Sequence, residues 1–300
     1  MSEVLIVGTG ALATLFAARL ARAGHVVSML GTWQNGLQAL REGGARLVEV
    51  NGSERAYPVN AQRDPRNLRG TQIALVLVKA WQTERAAQQL QECLAPGGLA
   101  VTLQNGLGNR EILVRALGAN RIAIGTSTTG ATLLGPGLAR AGGEGVVSLE
   151  QHPGLAPLEQ ALKESGFNVR VVEDAGSLIW GKLVINAAIN PLTALLRVTN
   201  GELLRRPAAR SLMGNLACEA AAVAEAEGIR LPFEDPAAMA EQVAHETAGN
   251  RSSMFQDVRR GAPTEIDAIC GAVTTRGARH GVPTPVNSVC WRLVQALAGG

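Results

Sequence analysis

Aromatic side chains make up only 3% of the 300 residues, whereas glycine alone contributes 35. A chain so poor in rings must fill its interior with small and aliphatic groups, which suits helices packed closely on a sheet. Cysteine is also scarce. Cys93, Cys218, Cys270 and Cys290 are scattered, with no CxxC pair and no histidines at matching spacing. That pattern argues against a disulfide framework and a zinc site, and makes a reducing cytoplasm the expected compartment. His25, His152, His245 and His280 are equally dispersed; they read as surface or packing residues, and no metal is expected. Charge of one sign is missing too: 28 basic residues face 25 acidic ones, which leaves no footprint for nucleic acid or a membrane surface. The apolar stretch near the N-terminus is interrupted by Gly8 and Gly10, followed by Arg19 and Arg22, and preceded by no basic segment. It does not read as a signal peptide, and no other run approaches the length of a bilayer span, so a soluble protein is expected. No internal repeat or low-complexity tail is present.

What the sequence does hold is an alternation that changes character partway along. Residues 4–7, 26–30, 73–78 and 99–103 read as buried strands, with helical patterns over 11–23, 83–93 and 109–117 between them. This predicts a parallel sheet with crossover helices. Over 122–149 the Thr126-Ser-Thr-Thr run, the Gly135-Pro-Gly137 turn and Gly142-Gly143 separate short extended pieces. Antiparallel hairpins added to the same sheet are expected there, then a helix near 155–165 and a strand at 169–172. After Glu173-Asp-Ala-Gly176 the periodicity is helical to the end, with helices over about 178–189, 192–196, 208–226, 236–247, 252–260, 265–279 and 286–297. The expected architecture is an α/β dinucleotide-binding domain over 1–173 followed by an all-α domain over 174–300.

The most informative segment is Trp180-Gly-Lys182-Leu-Val-Ile-Asn186-Ala-Ala-Ile-Asn190-Pro191. A four-residue step on a helix drifts by only about 40°, so Lys182, Asn186 and Asn190 line one stripe among apolar neighbours. A lone lysine there would snorkel to solvent. Three aligned polar groups ending at a proline instead point to a site, because a buried ammonium must be paired or serve a ligand.

In the first half, Gly8-Thr9-Gly10-Ala11-Leu12-Ala13 lies directly between the first strand and the first helix. The two glycines allow a tight turn and close approach of a pyrophosphate to the helix N-terminus, and Ala13 is small enough for the third position. The second strand ends in Ser28-Met-Leu30-Gly31-Thr32-Trp33-Gln34, with no acid to hold a ribose 2′-hydroxyl. This argues against NAD and for NADP, although the arginine often used for a 2′-phosphate is absent as well. Lys79, after the strand at 73–78, is a candidate substitute, with Thr32 and Gln34 as neutral donors; a solvated strand-end lysine would look the same. Asn105, in Gln104-Asn105-Gly106, follows another strand end and could donate to a ribose or a reacting oxygen, or serve only as a turn residue. In the helical half Asn250 or Ser252 can cap the helix holding Ser253 and Phe255, a terminus that also suits a carboxylate. Thr264 can cap the next helix, with Glu265 in its first turn.

Together these segments resemble the ketopantoate reductase (2-dehydropantoate 2-reductase) family over essentially the whole chain. The stretches that carry the resemblance are Gly8-Thr-Gly-Ala-Leu12, Lys79-Ala-Trp-Gln82, Gln104-Asn-Gly-Leu-Gly108, Lys182-Leu-Val-Ile-Asn-Ala-Ala-Ile-Asn-Pro-Leu-Thr193, Ser252-Ser-Met-Phe-Gln-Asp257 and Thr264-Glu-Ile-Asp267. The resemblance implies a Rossmann-type domain followed by a helical domain like the C-terminal one of 6-phosphogluconate dehydrogenase, and NADPH-dependent reduction of ketopantoate to pantoate on the route to pantothenate and coenzyme A. It implies Lys182 as general acid with Glu265 as its partner; a carboxylate so placed is expected to raise the lysine's pKa. Asn186 and Asn190 would hold the distal hydroxyl of the substrate, and Ser253 its carboxylate, with Asn250 nearby. Gly8, Thr9, Gly10, Ala11, Leu12 and Thr32 would bind NADP(H), with Lys79 and Gln82 by the adenosine phosphate. Asn105 would lie by the nicotinamide ribose and substrate. The departure from the family is Gly31-Thr32-Trp33, where some members place an arginine. Alternatives are a reductase of another branched 2-keto acid and a non-catalytic NADP(H)-sensing protein. The expected partner is a 2-keto acid, with no nucleic acid and no membrane, and a homodimer is an admissible assembly.

Overall fold

A computed structural model describes residues 1–298. The chain divides into two units: Met1–Gln104 with Asn109–Ala175, and Asn105–Gly108 with the chain from Gly176 onward. In the first unit, strand β1 (Glu3–Val7) sends Val4 and Ile6 into one core and Leu5 and Val7 into another. A strand buried on both faces belongs in the middle of a parallel sheet, which is why its sequence is an unbroken apolar run. From it the chain continues through α1 (Ala11–Arg22), β2 (Val26–Leu30), α2 (Gln34–Gly43), β3 (Ala45–Val48), β4 (Glu54–Tyr57), β5 (Asn60–Gln62) and β6 (Thr71–Val76). Then follow α3 (Thr83–Cys93), β7 (Leu94–Thr102), α4 (Asn109–Leu117), β8 (Ile122–Ser127), β9 (Ala131–Gly135), β10 (Leu138–Ala141), β11 (Val146–Glu150), α5 (Ala156–Glu164) and β12 (Asn168–Val172).

Eight strands form a sheet in the order β12-β11-β8-β7-β6-β1-β2-β5. Every pair is parallel except β8 with β11. The order reverses at β1, which has β2 on one side and β6 on the other. In open α/β sheets the crevice beyond the carboxyl ends of the strands at such a point is where ligands bind. The expectation of hairpins added to this sheet is only partly right. β9 and β10 do pair antiparallel, but they belong to a second sheet, β4-β3-β10-β9, whose buried face joins the core around α1. β3 and β4 were not expected, because β4 reads Glu-Arg-Ala-Tyr with no buried face of its own. A four-residue strand with so little apolar content gives no periodic signal.

The second unit holds α6 (Gly176–Leu196), α7 (Asn200–Leu204), α8 (Pro207–Ala226), α9 (Pro236–Glu246), α10 (Ser253–Arg259), α11 (Ala272–His280) and α12 (Pro285–Ala298). α6 is its central helix, with Val184, Ala187, Ala188 and Ala194 fully buried in the helical core. Two expectations fail here. The helix does not end near Pro191 but runs through it. Proline removes the amide that would bond the Ala187 carbonyl, and the Cys270 thiol takes that carbonyl at 3.9 Å instead. α6 is also long and apolar enough to cross a bilayer, which no run was expected to be; 67% of its most apolar window is buried within the protein, as in a core helix. Its three polar residues are too few to break the apolar average.

Candidate active site

The turn after β1 is built from what its side chains lack. Gly8 has φ +135° and donates its amide to the Leu30 carbonyl at 2.8 Å, and a Cβ there would stand 3.1 Å from the Leu77 carbonyl. Only glycine adopts that backbone without strain. Thr9 is buried with its methyl against Gly31, where a side chain would collide with it. Gly10 is the reverse case: a Cβ there would meet nothing within 4 Å, so the space over the turn is open. Gly10 is also the N-cap of α1 and makes no side-chain capping bond. The first amides of α1, beside half-buried Ala11 and Leu12, therefore have no side-chain cap, an arrangement that suits an anion.

Beside this turn lies a cleft open to solvent and lined by Gly8, Thr9, Thr32, Trp33, Gln82 and Arg85 among others. Thr32 accepts a hydrogen bond from Arg85 Nη1 at 3.0 Å. Lys79 is half-buried, precedes the 3-10 turn Ala80–Gln82 and does not line the cleft. Sequence reasoning missed Arg85, which arrives from α3, 53 residues after Thr32, with no motif to announce it. It also gave no role to Gln104. That side chain donates to the Val78 carbonyl at 3.0 Å and to Thr83 Oγ1 at 2.8 Å, tying the loop after β6 to the start of α3.

In the second unit Asn105 Nδ2 donates to Glu265 Oε2 at 3.1 Å, and the Leu107 amide donates to the Ala268 carbonyl at 2.9 Å. Gly106, with φ +80°, lies so close to Ala268 that any side chain would collide with it. Glu265 is 4% exposed, and it does not open an α-helix as expected. A π-helical turn, Asp267–Gly271, intervenes before α11, and Thr264 Oγ1 receives only the Ile266 amide at 3.4 Å. Such turns widen the helix by one residue and recur at functional sites. Here the turn is clamped by Asp267 Oδ1, which accepts from Trp291 Nε1 and Gln295 Nε2, each at 2.7 Å.

Lys182 is half-buried on α6 and feels the charge of Glu265. The carboxylate acts in the expected direction, but burial acts more strongly against the charged amine. The pKa of Lys182 is therefore lowered overall, from 10.5 to about 8. On the same face, Asn186 is half-buried and Asn190 is buried. Among the described residues neither side-chain amide is held by another protein group, and neither is a fully buried unsatisfied group, so both present their amides to solvent or a ligand. Ser252 is the N-cap of α10: its hydroxyl accepts the Phe255 amide at 3.1 Å and a bond from Thr193 Oγ1 at 2.7 Å. Ser253 and Asn250 are left exposed at that end. The alternative that Asn250 caps the helix is not realised. Among the described residues no group of His, Cys, Asp and Glu could hold a metal.

A doubly wound sheet of the kind that binds dinucleotides, followed by a helical unit carrying a lysine–glutamate pair, is the plan of a class of oxidoreductase. Residues 4–154 match the family model described as ketopantoate reductase PanE/ApbA, and residues 174–298 match its C-terminal counterpart. The chain is 34% identical to the 2-dehydropantoate 2-reductase of Halobacterium salinarum, with 93% of each chain covered. The crystal structure of a PanE/ApbA family ketopantoate reductase from Ralstonia eutropha superimposes with a TM-score of 0.92 at 32% identity, covering 99% of this chain and 98% of the other. The ternary structure of D-mandelate dehydrogenase with NADH and anilino(oxo)acetate has the same TM-score at 28% identity, again covering 99% and 98%. The chain belongs to the ketopantoate reductase family and is an oxidoreductase of that family.

Proposed function

We propose that this chain is a cytoplasmic 2-dehydropantoate 2-reductase that reduces ketopantoate to pantoate with NADPH, on the route to pantothenate and coenzyme A. The observation that carries the reading is the pair of partnerless amides on Asn186 and Asn190, in line with Lys182 on α6. They suit a 2-keto acid with a second hydroxyl. Gly8, Thr9, Gly10, Ala11 and Leu12 hold the pyrophosphate at the N-terminus of α1, with Thr32, Lys79 and Gln82 on the adenosine side. When bound, the nicotinamide supplies hydride to C2 of the keto acid. Lys182 Nζ donates the proton that the resulting C2 oxygen requires. Glu265 and Asn105 keep that ammonium aimed, and Ser253 with Asn250 receives the carboxylate. With a pKa of about 8, Lys182 is mostly protonated at neutral pH yet gives up its proton readily, which suits a general acid working near that pH.

A second reading, reduction of a different 2-keto acid with NADH, is favoured by the D-mandelate dehydrogenase likeness. A panel of 2-keto acids assayed with NADPH and NADH separates the two. Ketopantoate with NADPH should have the highest kcat/KM, and Asn186→Ala and Asn190→Ala should each lose far more activity on ketopantoate than on ketoisovalerate, which lacks the second hydroxyl. Equal losses on both substrates would reduce the asparagines to helix support and sink the ketopantoate reading.

A further inference from the structure

The proposed cofactor differs from NADH by one phosphate, on the 2′-oxygen of the adenosine ribose. The end of β2 offers that group no arginine, because Gly31, Thr32 and Trp33 stand where one would be sought. We infer that Arg85, reaching the cleft from α3 and anchored on Thr32, is the residue that receives the 2′-phosphate and sets the preference for the phosphorylated cofactor. This rests on the NADPH reading above and names the residue on which that reading depends.

Three features carry the inference. First, Arg85 is the one charged side chain among the described residues that line the cleft beside the Gly8–Gly10 turn. No carboxylate lines it, so nothing there would accept a bare ribose diol in the manner of an NAD site, and nothing would repel a phosphate. Second, its guanidinium is oriented. Nη1 donates to Thr32 Oγ1 at 3.0 Å, which spans the gap between the loop after β2 and α3. A guanidinium has five N–H donors in a fixed fork, and that bond uses one of them; among the described residues no carboxylate takes the others. The neighbouring Glu84 is instead 3.8 Å from Arg115. Third, Thr32 can turn its own hydroxyl proton to the same phosphate while accepting from Arg85, so the pair forms a cationic clamp with a neutral donor beside it. A planar, bidentate cation is well matched to a phosphate dianion. Lys79 does not line this cleft, which separates the inference from one based on that lysine.

Direct binding tests it without turnover. Dissociation constants for NADPH and NADH would be measured by fluorescence on the intact wild-type protein and on Arg85→Gln, Arg85→Lys and Lys79→Gln, with thermal unfolding as a folding control. The wild type should bind NADPH more tightly than NADH. Loss of a charge-assisted contact in Arg85→Gln should weaken NADPH roughly 10- to 100-fold while NADH changes by about twofold or less. The salt dependence of NADPH binding should flatten in that variant, and Arg85→Lys should recover part of the preference. A preference that survives in Arg85→Gln but vanishes in Lys79→Gln would overturn the assignment to Arg85 and leave the NADPH reading intact. Equal weakening of both cofactors in Arg85→Gln would overturn it as well, making the residue a structural tie. A wild type with no preference for NADPH would bring down the NADPH reading and this inference with it.

Discussion

At the β1–α1 turn the first unit presents backbone. Gly8 holds φ +135°, Gly10 leaves open space above it, and the first amides of α1 have no side-chain cap. Along α6 and the π-helical turn the second unit presents side chains instead: a half-buried lysine and two asparagine amides on the helix, and the Glu265 carboxylate, 4% exposed, just before the turn. The first arrangement depends on backbone geometry and on close approach of neighbouring backbone, at Leu30 and Leu77. The second depends on tertiary packing to supply the surroundings that tune it. A cofactor shared by many enzymes can be recognised by backbone, whereas a particular reaction needs groups whose acidity and direction are set individually.

The largest expected effect comes from removing the tuned group. Lys182→Ala should lower kcat by about 10²–10⁴, the usual range for a lost general acid, with nucleotide binding almost unchanged. Glu265→Gln should also lower kcat, and the double variant should be little worse than Lys182→Ala, because groups that act on one proton transfer are strongly non-additive. A double-mutant cycle on kcat/KM, with cofactor binding measured separately, checks this. Multiplicative losses, or near-normal turnover in Lys182→Ala, would leave the second unit without an acid and dissolve the contrast between the units.

The same contrast governs how much could be read in advance. Gly8-Thr9-Gly10 between a strand and a helix carries its meaning locally, as does the polar stripe of Lys182, Asn186 and Asn190, since both follow from backbone periodicity. β3, β4 and the π-helical turn were not legible. The strands are short and half polar, and the turn differs from an α-helix by a single hydrogen-bond step that no side-chain pattern encodes. Pro191 misled because its helix-breaking effect is local, while its compensation by Cys270 comes from 79 positions further along. The effect of Glu265 on Lys182 has the expected direction, but the net pKa was out of reach for a related reason. The sequence names a plausible carboxylate partner but not the extent of burial, and burial proved the stronger influence. Arg85 escaped notice because it meets Thr32 only through the fold.

A smaller perturbation should break the backbone-built site alone. Gly8→Ala forces an L-residue into φ +135° with its Cβ 3.1 Å from the Leu77 carbonyl. A residue held in so sparse a region costs on the order of 1–3 kcal/mol. Thermal stability should fall and nucleotide affinity should drop, while the pH midpoint of any residual turnover, set by Lys182, stays where it was. If Gly8→Ala moved that midpoint, the two sites could not be regarded as separately built.

The smallest effect is a pH signature of Lys182 in stability. Its folded pKa of about 8 lies below the ordinary value of 10.5. Between those two values the unfolded chain still binds a proton that the folded protein has released, so raising the pH favours the folded state. Below pH 8 the lysine's burial penalty is present in full; it is relieved progressively as the pH climbs toward 10.5. Lys182→Met has no such proton. It also removes the partner of Glu265, which adds an offset of its own to the absolute stability. The informative quantity is therefore the change with pH in the difference between the two proteins. Free energies of unfolding from denaturant titrations at pH 7 and pH 10 should show the wild type gaining on Lys182→Met by on the order of 1–2 kcal/mol, the full linkage value reduced for the solvent that reaches a half-buried ammonium. Parallel stabilities at the two pH values would mean that Lys182 titrates alike in the folded and unfolded chain, and the second unit would then tune nothing.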